Sequence, residues 1–168
     1  KALLLLRKNR FFTQQSFKIN VKKNIPHGSG LGGGSSNAAS LLNFLNKKMK
    51  LKIKKEKIVK IANQIGFDVP ISLEKKNILL IGKKNKVIKI NQKFKLNTLI
   101  VYPNIVCSTK KIYKKNKTFT SLQDRFNNKI LNKKKLVVYL KYERNDLENT
   151  VIKYYPNVRK IIKIWTKI

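Results

Sequence analysis

The chain has 168 residues, of which 42 % are hydrophobic, and it carries a formal net charge of +33 at pH 7. This length suits one domain or two small ones, and the apolar content excludes disorder throughout. One cysteine and one histidine exclude a disulfide framework and a metal cluster built from these residue types, and they favour a reducing compartment. The apolar run Leu3 to Leu6 is too short for a signal or membrane segment, so a cytoplasmic location is predicted.

The positive charge comes from 40 Lys and Arg against 7 Asp and Glu, which would ordinarily indicate nucleic acid binding. The excess is almost all lysine, and it is spread along the whole chain. Lysine, isoleucine and asparagine are abundant here and have codons rich in A and T, so an AT-rich genome is the simpler explanation. No specific nucleic acid partner is therefore predicted, and nonspecific binding at low salt remains compatible with the charge.

The first elements are predicted to be a helix end and a strand. Residues 1–15 are predicted to be the end of a helix, which leads into a strand at residues 16–22. Phe17, Ile19 and Val21 alternate there with polar residues, which indicates a strand with one buried face.

A glycine-rich stretch follows and holds five of the seven glycines between Gly28 and Gly34. Ser35, Ser36 and Asn37 are expected to cap a helix that runs from Ser36 to about Lys48. Glycines at a strand-to-helix junction let the backbone approach a ligand closely, and the first turn of a helix offers unpaired N–H groups. The stretch predicts an anion site, most often for phosphate, with a simple turn as the alternative.

Two common phosphate loops do not fit this stretch. A Walker A loop has Lys followed by Ser or Thr after its last glycine, whereas Ser35 follows Gly34 directly. The six residues Gly28 to Gly33 match the spacing of the dinucleotide fingerprint. That fingerprint also expects an acidic residue about 20 positions on, and residues 50–55 contain none.

The next segment contains an isolated aspartate. A helix is predicted over residues 54–65, and Gly66 is placed to end it. Asp68 follows in an apolar run just before Pro70. Taken alone, Asp68 is more typical of a turn cap than of a catalytic carboxylate.

The remaining elements are a hairpin, a boundary and a second group of strands and helices. The hairpin is predicted at 77–82 and 86–90 with its turn at 83–85, and the domain boundary at 91–93. The second group begins with a strand from Leu96 to Tyr102 and a helix from Thr109 to about Lys115. Helices are predicted around 121–131 and at 136–141, followed by a helix capped by Asn145 and Asp146. A final helix begins at Pro156, with the side chains of Val158, Ile161, Ile162 and Trp165 facing inward.

Four segments in order resemble the GHMP small-molecule kinases. The stretch from Pro26 to Ala39 is similar to the family's glycine-serine motif, Pro-x-x-x-Gly-Leu-Gly-Ser-Ser-Ala in most members, in a triple-glycine form. Gly66-Phe67-Asp68-Val69-Pro70 stands where the family carries Gly-x-Asp-Val-Pro. Residues 101–113 and 145–156 are similar to the opening of the family's second domain and to its next helix pair. The order favours Asp68 as a catalytic residue.

The resemblance implies an α+β fold in two incomplete parts. These are a ribosomal protein S5 domain 2-like, ATP-binding domain at 1–93 and a ferredoxin-like domain at 94–168. It implies transfer of the γ-phosphoryl group of ATP, accompanied by Mg²⁺, with Asp68 as the base. The residues implied to bind the nucleotide are Pro26, His27, Gly28, Ser29, Gly30, Leu31, Gly32, Gly33, Gly34, Ser35 and Ser36.

The implied substrate is a small molecule. The triple glycine favours the branch that phosphorylates the 2-hydroxyl of 4-diphosphocytidyl-2-C-methyl-D-erythritol, in the non-mevalonate route to isoprenoids. Homoserine and mevalonate kinases are the alternatives within the family, and a basic nucleic-acid-binding domain with an S5-like fold is the alternative outside it.

Some features depart from the family pattern. Asn37 stands where many members carry Asp, and neither His27 nor Cys107 is expected to be catalytic.

Both ends of the chain look cut, since Lys1 and Ile168 each fall inside an apparent helix. The family's N-terminal lysine strand and C-terminal glycine-serine motif would lie beyond them, so a fragment inactive by itself is expected.

Overall fold

The structure, a computed structural model, describes residues 1–12, 14–81, 86–90, 95–120 and 132–165. Helices dominate these ranges and an antiparallel hairpin accompanies them, so the predicted α+β class is confirmed at this level. The chain divides into two compact units, residues 1–25 with 32–91 and residues 26–31 with 92–168. The assignment of two kinase domains at 1–93 and 94–168 stays a prediction.

The described part of the first unit contains four helices and the hairpin. They are α1 (Ala2–Lys8), α2 (Gly33–Lys48), α3 (Lys55–Ile65), α4 (Asp68–Ser72), β1 (Asn77–Ile81) and β2 (Lys86–Ile90). Each of the four helices contributes one of the largest fully buried side chains, which are Leu6, Leu42, Ile61 and Val69. Because apolar side chains removed from water supply most of the stabilisation of a small domain, this four-helix contact forms the core.

A single asparagine fixes the connection between α2 and α3. The Asn46 side-chain oxygen accepts the Ile53 N–H at 2.9 Å, and its amide nitrogen donates to the Ile53 carbonyl at 3.2 Å. Both backbone groups of Ile53 are thereby paired while its side chain is buried, 7 % exposed, in the core. The connection that starts α3 is therefore set by a side chain of α2.

A three-residue ion pair ties the hairpin to α3. Lys55 Nζ lies 2.7 Å from Glu74 Oε1, and Lys89 Nζ lies 3.4 Å from Glu74 Oε2. Lys55 is the first residue of α3 and Lys89 belongs to β2, which pairs with β1 in the register Leu79 with Ile88. The Lys55 side chain donates a hydrogen bond to the Glu74 carboxylate, and this lowers the pKa of Glu74 below its ordinary value of 4.5.

We expect Glu74→Gln to remove part of the acid sensitivity of the fold. A carboxylate whose folded-state pKa is lowered stabilises the protein above its unfolded-state pKa, and that contribution is lost as pH falls below about 4.5. Urea unfolding at neutral pH and in acid should therefore show a smaller pH difference in Glu74→Gln than in wild type, by roughly 1 kcal/mol or less. The exposed Glu143, replaced by Gln, is the control. Equal pH differences in wild type and Glu74→Gln would contradict the role of this ion pair.

The described part of the second unit has four further helices. They are α5 (Thr109–Lys115), α6 (Lys133–Tyr142), α7 (Glu148–Tyr154) and α8 (Pro156–Trp165). The buried Asn116, just after α5, accepts a hydrogen bond from the Thr150 hydroxyl of α7 at 2.6 Å. Lys115 Nζ also lies 4.0 Å from the centre of the Tyr154 ring, a distance at which cation and ring attract. α5 and α7 are therefore joined by polar contacts as well as by packing.

Both strands predicted outside the hairpin are wrong. Residues 16–22 and 96–102 form no hydrogen-bonded strand in the structure. Ile19 and Val21 are 44 % and 54 % exposed, and Leu99 is 71 % exposed. An alternating pattern fits a strand only when a neighbouring strand pairs with its backbone, and no described strand pairs with either segment.

The predicted helices agree better with the structure. α3, α5, α6 and α8, the hairpin, and Gly66 as the C-cap of α3 are confirmed. The Asn145–Asp146 cap is confirmed only for Asn145, whose side chain accepts the Leu147 N–H at 3.0 Å just before α7. The Asp146 carboxylate instead accepts hydrogen bonds from Thr120. The predicted helix at 121–131, the hairpin turn and the Trp165 side chain lie outside the described residues. Within the described ranges, no helix has the length and apolar character needed to span a membrane.

Candidate active site

The glycine loop adopts a backbone that ordinary residues avoid. Gly28, Gly30 and Gly32 have φ of 73°, 78° and 69°, so three alternate positions are left-handed. L-residues with a side chain pay about 1–2 kcal/mol for this conformation, whereas glycine does not. Backbones that contain such positions form concave N–H nests, which bind anions.

The loop leads into the N-terminus of α2. Gly32 is the N-cap residue, no side chain caps the helix, and the first helical bond runs from the Ser36 N–H to the Gly32 carbonyl at 2.9 Å. The N–H groups of the residues before Ser36 therefore have no acceptor within the helix. Together with the positive end of the dipole of a 16-residue helix, such free N–H groups can bind an anion.

This geometry corrects the predicted serine cap. Ser35 and Ser36 lie inside α2, whose first residue is Gly33, and so do not cap it. A left-handed glycine at the N-cap lets the helix begin earlier than the serine pattern indicates. Ser35 is half-buried in the first turn of α2 and Ser36 is exposed.

Close packing requires glycine at one position of the loop and leaves little room for a side chain at a second. A β-carbon at Gly28 would lie 2.6 Å from Val106 Cγ1, and one at Gly33 would lie 3.3 Å from two atoms of Ile25. The Gly28 carbonyl also accepts a hydrogen bond from the Cys107 N–H at 3.2 Å. These two glycines therefore let neighbouring segments approach the loop backbone.

The other three glycines face open space. A β-carbon at Gly30, Gly32 or Gly34 would meet no described atom within 4 Å. Gly30 and Gly32 still need their left-handed backbone, but Gly34 sits in the first turn of α2 with no positive φ. Neither packing nor backbone conformation within the described protein explains a glycine at position 34. A ligand that approaches the backbone there would explain it.

We expect Gly34→Ala to raise stability and lower nucleotide affinity. Alanine in a helix is better than glycine by about 0.5–1 kcal/mol, and nothing described in the protein crowds the new methyl group. The same methyl group would occupy the approach to the first-turn N–H groups and raise the Kd for ATP by about tenfold. Thermal unfolding of the nucleotide-free protein and titration calorimetry with ATP measure the two effects.

The control for Gly34→Ala is Asn43→Ala, an exposed position on the same helix. Asn43→Ala should raise stability and leave the Kd for ATP unchanged. If Gly34→Ala also leaves the Kd unchanged, the open space at Gly34 is not a nucleotide site.

Asp68 is presented to solvent by a well-anchored turn. It is the first residue of α4 and is exposed, whereas the next two residues, Val69 and Pro70, are buried. The Asp68 carbonyl accepts a hydrogen bond from the Ser72 hydroxyl at 2.9 Å, and the Val69 N–H donates to the Gly66 carbonyl. The backbone is thus held while the carboxylate remains accessible. Such a group can accept a proton from a bound hydroxyl.

The sequence-predicted residues have different environments. Pro26, His27, Gly30, Leu31 and Gly34 are exposed, and Gly28, Ser29, Gly32 and Gly33 are half-buried. The Ser29 hydroxyl accepts a hydrogen bond from the Leu31 N–H at 3.4 Å, which tightens the loop tip. Asp68 and residues 32–36 share the first unit, where α4 packs against α2.

Sequence reasoning missed the contact between Val106 and the loop. Val106 and Cys107 lie far from Gly28 along the chain, and nothing in their residue types indicates a role in an anion site. The one available signal was the resemblance of residues 101–113 to a kinase segment, which did not point to any particular residue. Cys107 contributes its backbone N–H, and its half-buried thiol has no role in this contact.

Comparison with known proteins agrees with this geometry. Residues 1–76 match the GHMP kinases N terminal domain family. This part of the chain is a GHMP kinase N-terminal domain. Both the glycine loop and Asp68 fall within these residues.

The chain is also similar to curated proteins named 4-diphosphocytidyl-2-C-methyl-D-erythritol kinase. The relative from Pelagibacter ubique is 40 % identical over 163 residues, which are 96 % of this chain and 56 % of that protein. The one from Sulfurihydrogenibium sp. is 35 % identical over 88 % of this chain and 54 % of its own length. The one from Lawsonia intracellularis is 40 % identical over 79 % and 46 %. The chain therefore spans about half the length of the curated relatives that it matches.

Proposed function

We propose that the protein transfers the γ-phosphoryl group of ATP to the 2-hydroxyl of 4-diphosphocytidyl-2-C-methyl-D-erythritol, in the non-mevalonate route to isoprenoid precursors. The observation that carries the proposal is the N-terminus of α2, which has no side-chain cap and follows three left-handed glycines along the chain. A β-carbon at Gly34, in the first turn of α2, would meet no described atom within 4 Å. The names of the relatives support this substrate over homoserine and mevalonate.

In this proposal the loop binds the phosphates of ATP. The N–H groups of Gly33, Gly34 and Ser35 donate to phosphate oxygens, and the helix dipole favours their negative charge. Fixed donors of this kind stabilise charge that develops on the transferred group, which is the main contribution of a protein to phosphoryl transfer.

Asp68 acts on the acceptor. Its carboxylate orients the attacking 2-hydroxyl and accepts its proton as the new oxygen–phosphorus bond forms. The bond between the γ-phosphorus and the oxygen that bridges it to the β-phosphate breaks in the same step, and ADP leaves. The anchored turn at Val69 and Pro70 holds the Asp68 backbone in place, so little conformational entropy is lost when the carboxylate engages the hydroxyl.

Mg²⁺ is proposed to accompany the nucleotide. Among the described residues, no three His, Cys, Asp or Glu side chains come together as a ready-made metal site. This fits an ion held mainly by phosphate oxygens and water, with the hydroxyls of Ser35 or Ser36 as additional oxygen ligands. The ion would neutralise charge on the phosphates.

The proposal extends to fold detail and location. Residues 1–93 are proposed to be the S5 domain 2-like part and residues 94–168 the ferredoxin-like part, by analogy with the family. A cytoplasmic location is proposed for an enzyme that uses ATP and carries one half-buried free cysteine.

The test is a direct assay of the full-length protein with ATP, Mg²⁺ and 4-diphosphocytidyl-2-C-methyl-D-erythritol. A phosphomonoester at the 2-position, identified by ³¹P NMR, is the expected product. Homoserine and mevalonate are tested as alternative acceptors. If one of them is phosphorylated and 4-diphosphocytidyl-2-C-methyl-D-erythritol is not, the proposed substrate is wrong and that acceptor is the substrate. Tight RNA binding at physiological salt without ATP binding would overturn the kinase proposal.

A further inference from the structure

We propose that residues 105–107 position the first half of the phosphate loop, with Val106 as the positioning residue. This inference rests on the proposed function, because the loop must bind a nucleotide for its position to matter. Residues 26–31 and 105–107 belong to the same compact unit, the second.

Two contacts join these segments at Gly28. The Cys107 N–H donates to the Gly28 carbonyl at 3.2 Å. Val106 packs so closely over the Gly28 α-carbon that an added β-carbon would lie 2.6 Å from Val106 Cγ1 and 3.3 Å from Val106 Cα. No real β-carbon tolerates the shorter distance, so Gly28 and Val106 form a matched pair.

The positioning segment lies between a left-handed turn and a capped helix. Asn104 has a φ of 57°, a left-handed turn immediately before residue 105. Ser108 follows residue 107 and caps α5, because its hydroxyl accepts the Lys111 N–H. Ile112 of α5 is buried, 2 % exposed. Residues 105–107 are therefore anchored at their C-terminal end by α5.

Val106 is unusual for a residue with this contact. Its side chain is 59 % exposed, so core packing does not account for it. The close contact described for Val106 is with the loop backbone at Gly28. At Gly30, the next left-handed glycine of the loop, an added β-carbon would meet no described atom within 4 Å. Val106 therefore restrains one side of the loop backbone and leaves the other side free for a ligand.

A double-mutant cycle tests the pair. Gly28→Ala adds both backbone strain and the collision with Val106, and we expect it to raise the Kd for ATP by more than about thirtyfold. Val106→Ala removes Cγ1, the one atom closer than 3.0 Å. In combination with Gly28→Ala it should restore part of the affinity, toward the loss of about five- to thirtyfold expected from backbone strain alone.

Gly30→Ala is the matched control for strain. Its φ of 78° is close to that of Gly28, but a β-carbon there meets nothing described within 4 Å. Val106→Ala should therefore not rescue Gly30→Ala. Val138→Ala, the same change at a 54 % exposed position of α6, should rescue neither glycine variant.

A second comparison covers the case in which Gly28→Ala fails to fold. With Gly28 intact, Val106→Ala should raise the KM for ATP several-fold and leave the KM for the acceptor unchanged. Val106→Thr keeps a branched side chain over Gly28 and should retain wild-type values. A merely structural residue would lower the melting temperature without separating the two KM values.

The outcomes separate the two proposals. If wild type binds no ATP, the proposed function fails, and this inference fails with it. If wild type binds ATP but the effects of Gly28→Ala and Val106→Ala on Kd add independently, the proposed function stands and the positioning role of Val106 is wrong. Equal effects of Val106→Ala and Val106→Thr on the KM for ATP would also overturn it.

Discussion

Replacing Asp68 with asparagine is expected to lower turnover by about 10²–10⁴-fold while ATP affinity stays near the wild-type value. Asparagine keeps the size and the hydrogen-bonding ability of the side chain but cannot accept the proton of the acceptor hydroxyl. The first turn of α4 is held by Val69 and Pro70 in the core, so the substitution should not disturb the fold. Steady-state kinetics with ATP and 4-diphosphocytidyl-2-C-methyl-D-erythritol, beside calorimetry with ATP, measure the two quantities.

Glu143→Gln is the control for Asp68→Asn. It removes one exposed carboxylate at the end of α6 and should leave turnover unchanged. Near-normal turnover of Asp68→Asn would remove Asp68 as the base. A parallel loss of ATP affinity would instead assign Asp68 to nucleotide or metal binding.

Replacing Gly32 with valine is expected to weaken ATP binding more than tenfold. Gly32 is the left-handed N-cap of α2, and a β-branched residue at a φ of 69° is strongly disfavoured. The backbone must move to relieve strain of about 1–2 kcal/mol, and this movement displaces the N–H groups that follow. A β-carbon at Gly32 would meet no described atom within 4 Å, so the expected effect is assigned to the backbone. Calorimetry with ATP and thermal unfolding without it measure the change.

Asn43→Val is the control for Gly32→Val. It introduces the same side chain at an exposed site of α2, where asparagine and valine have similar helix propensity. Its Kd for ATP and its melting temperature should match wild type. If Gly32→Val lowers the melting temperature but keeps the wild-type Kd, the loop turns the chain without binding the nucleotide.

Local patterns predicted the helices well. α3 begins one residue later than predicted and ends at Gly66, and α5 has its predicted bounds. Such signals act within one or two turns of helix, so a single segment contains the information. The hairpin was predicted for the same reason, since its two strands are neighbours along the chain.

Asp68 shows the limit of a local pattern. Its immediate neighbours indicated a turn cap, and only its place after the glycine loop favoured catalysis. The structure adds that Asp68 is exposed on an anchored turn and that α4 packs against α2, which carries the end of the loop. Its role as base remains a prediction for the Asp68→Asn experiment.

The sequence by itself determined the glycine loop, the Asp68 segment and most helices, because these depend on residue type and short spacing. Tertiary structure alone decided which glycine serves which purpose. Gly28 accommodates Val106, Gly33 accommodates Ile25, and Gly34 faces open space. It also decided that residues 16–22 and 96–102 are not paired strands, since a strand needs a partner that its own sequence does not specify. Contacts between distant segments depend on packing, and packing is read only from the folded chain.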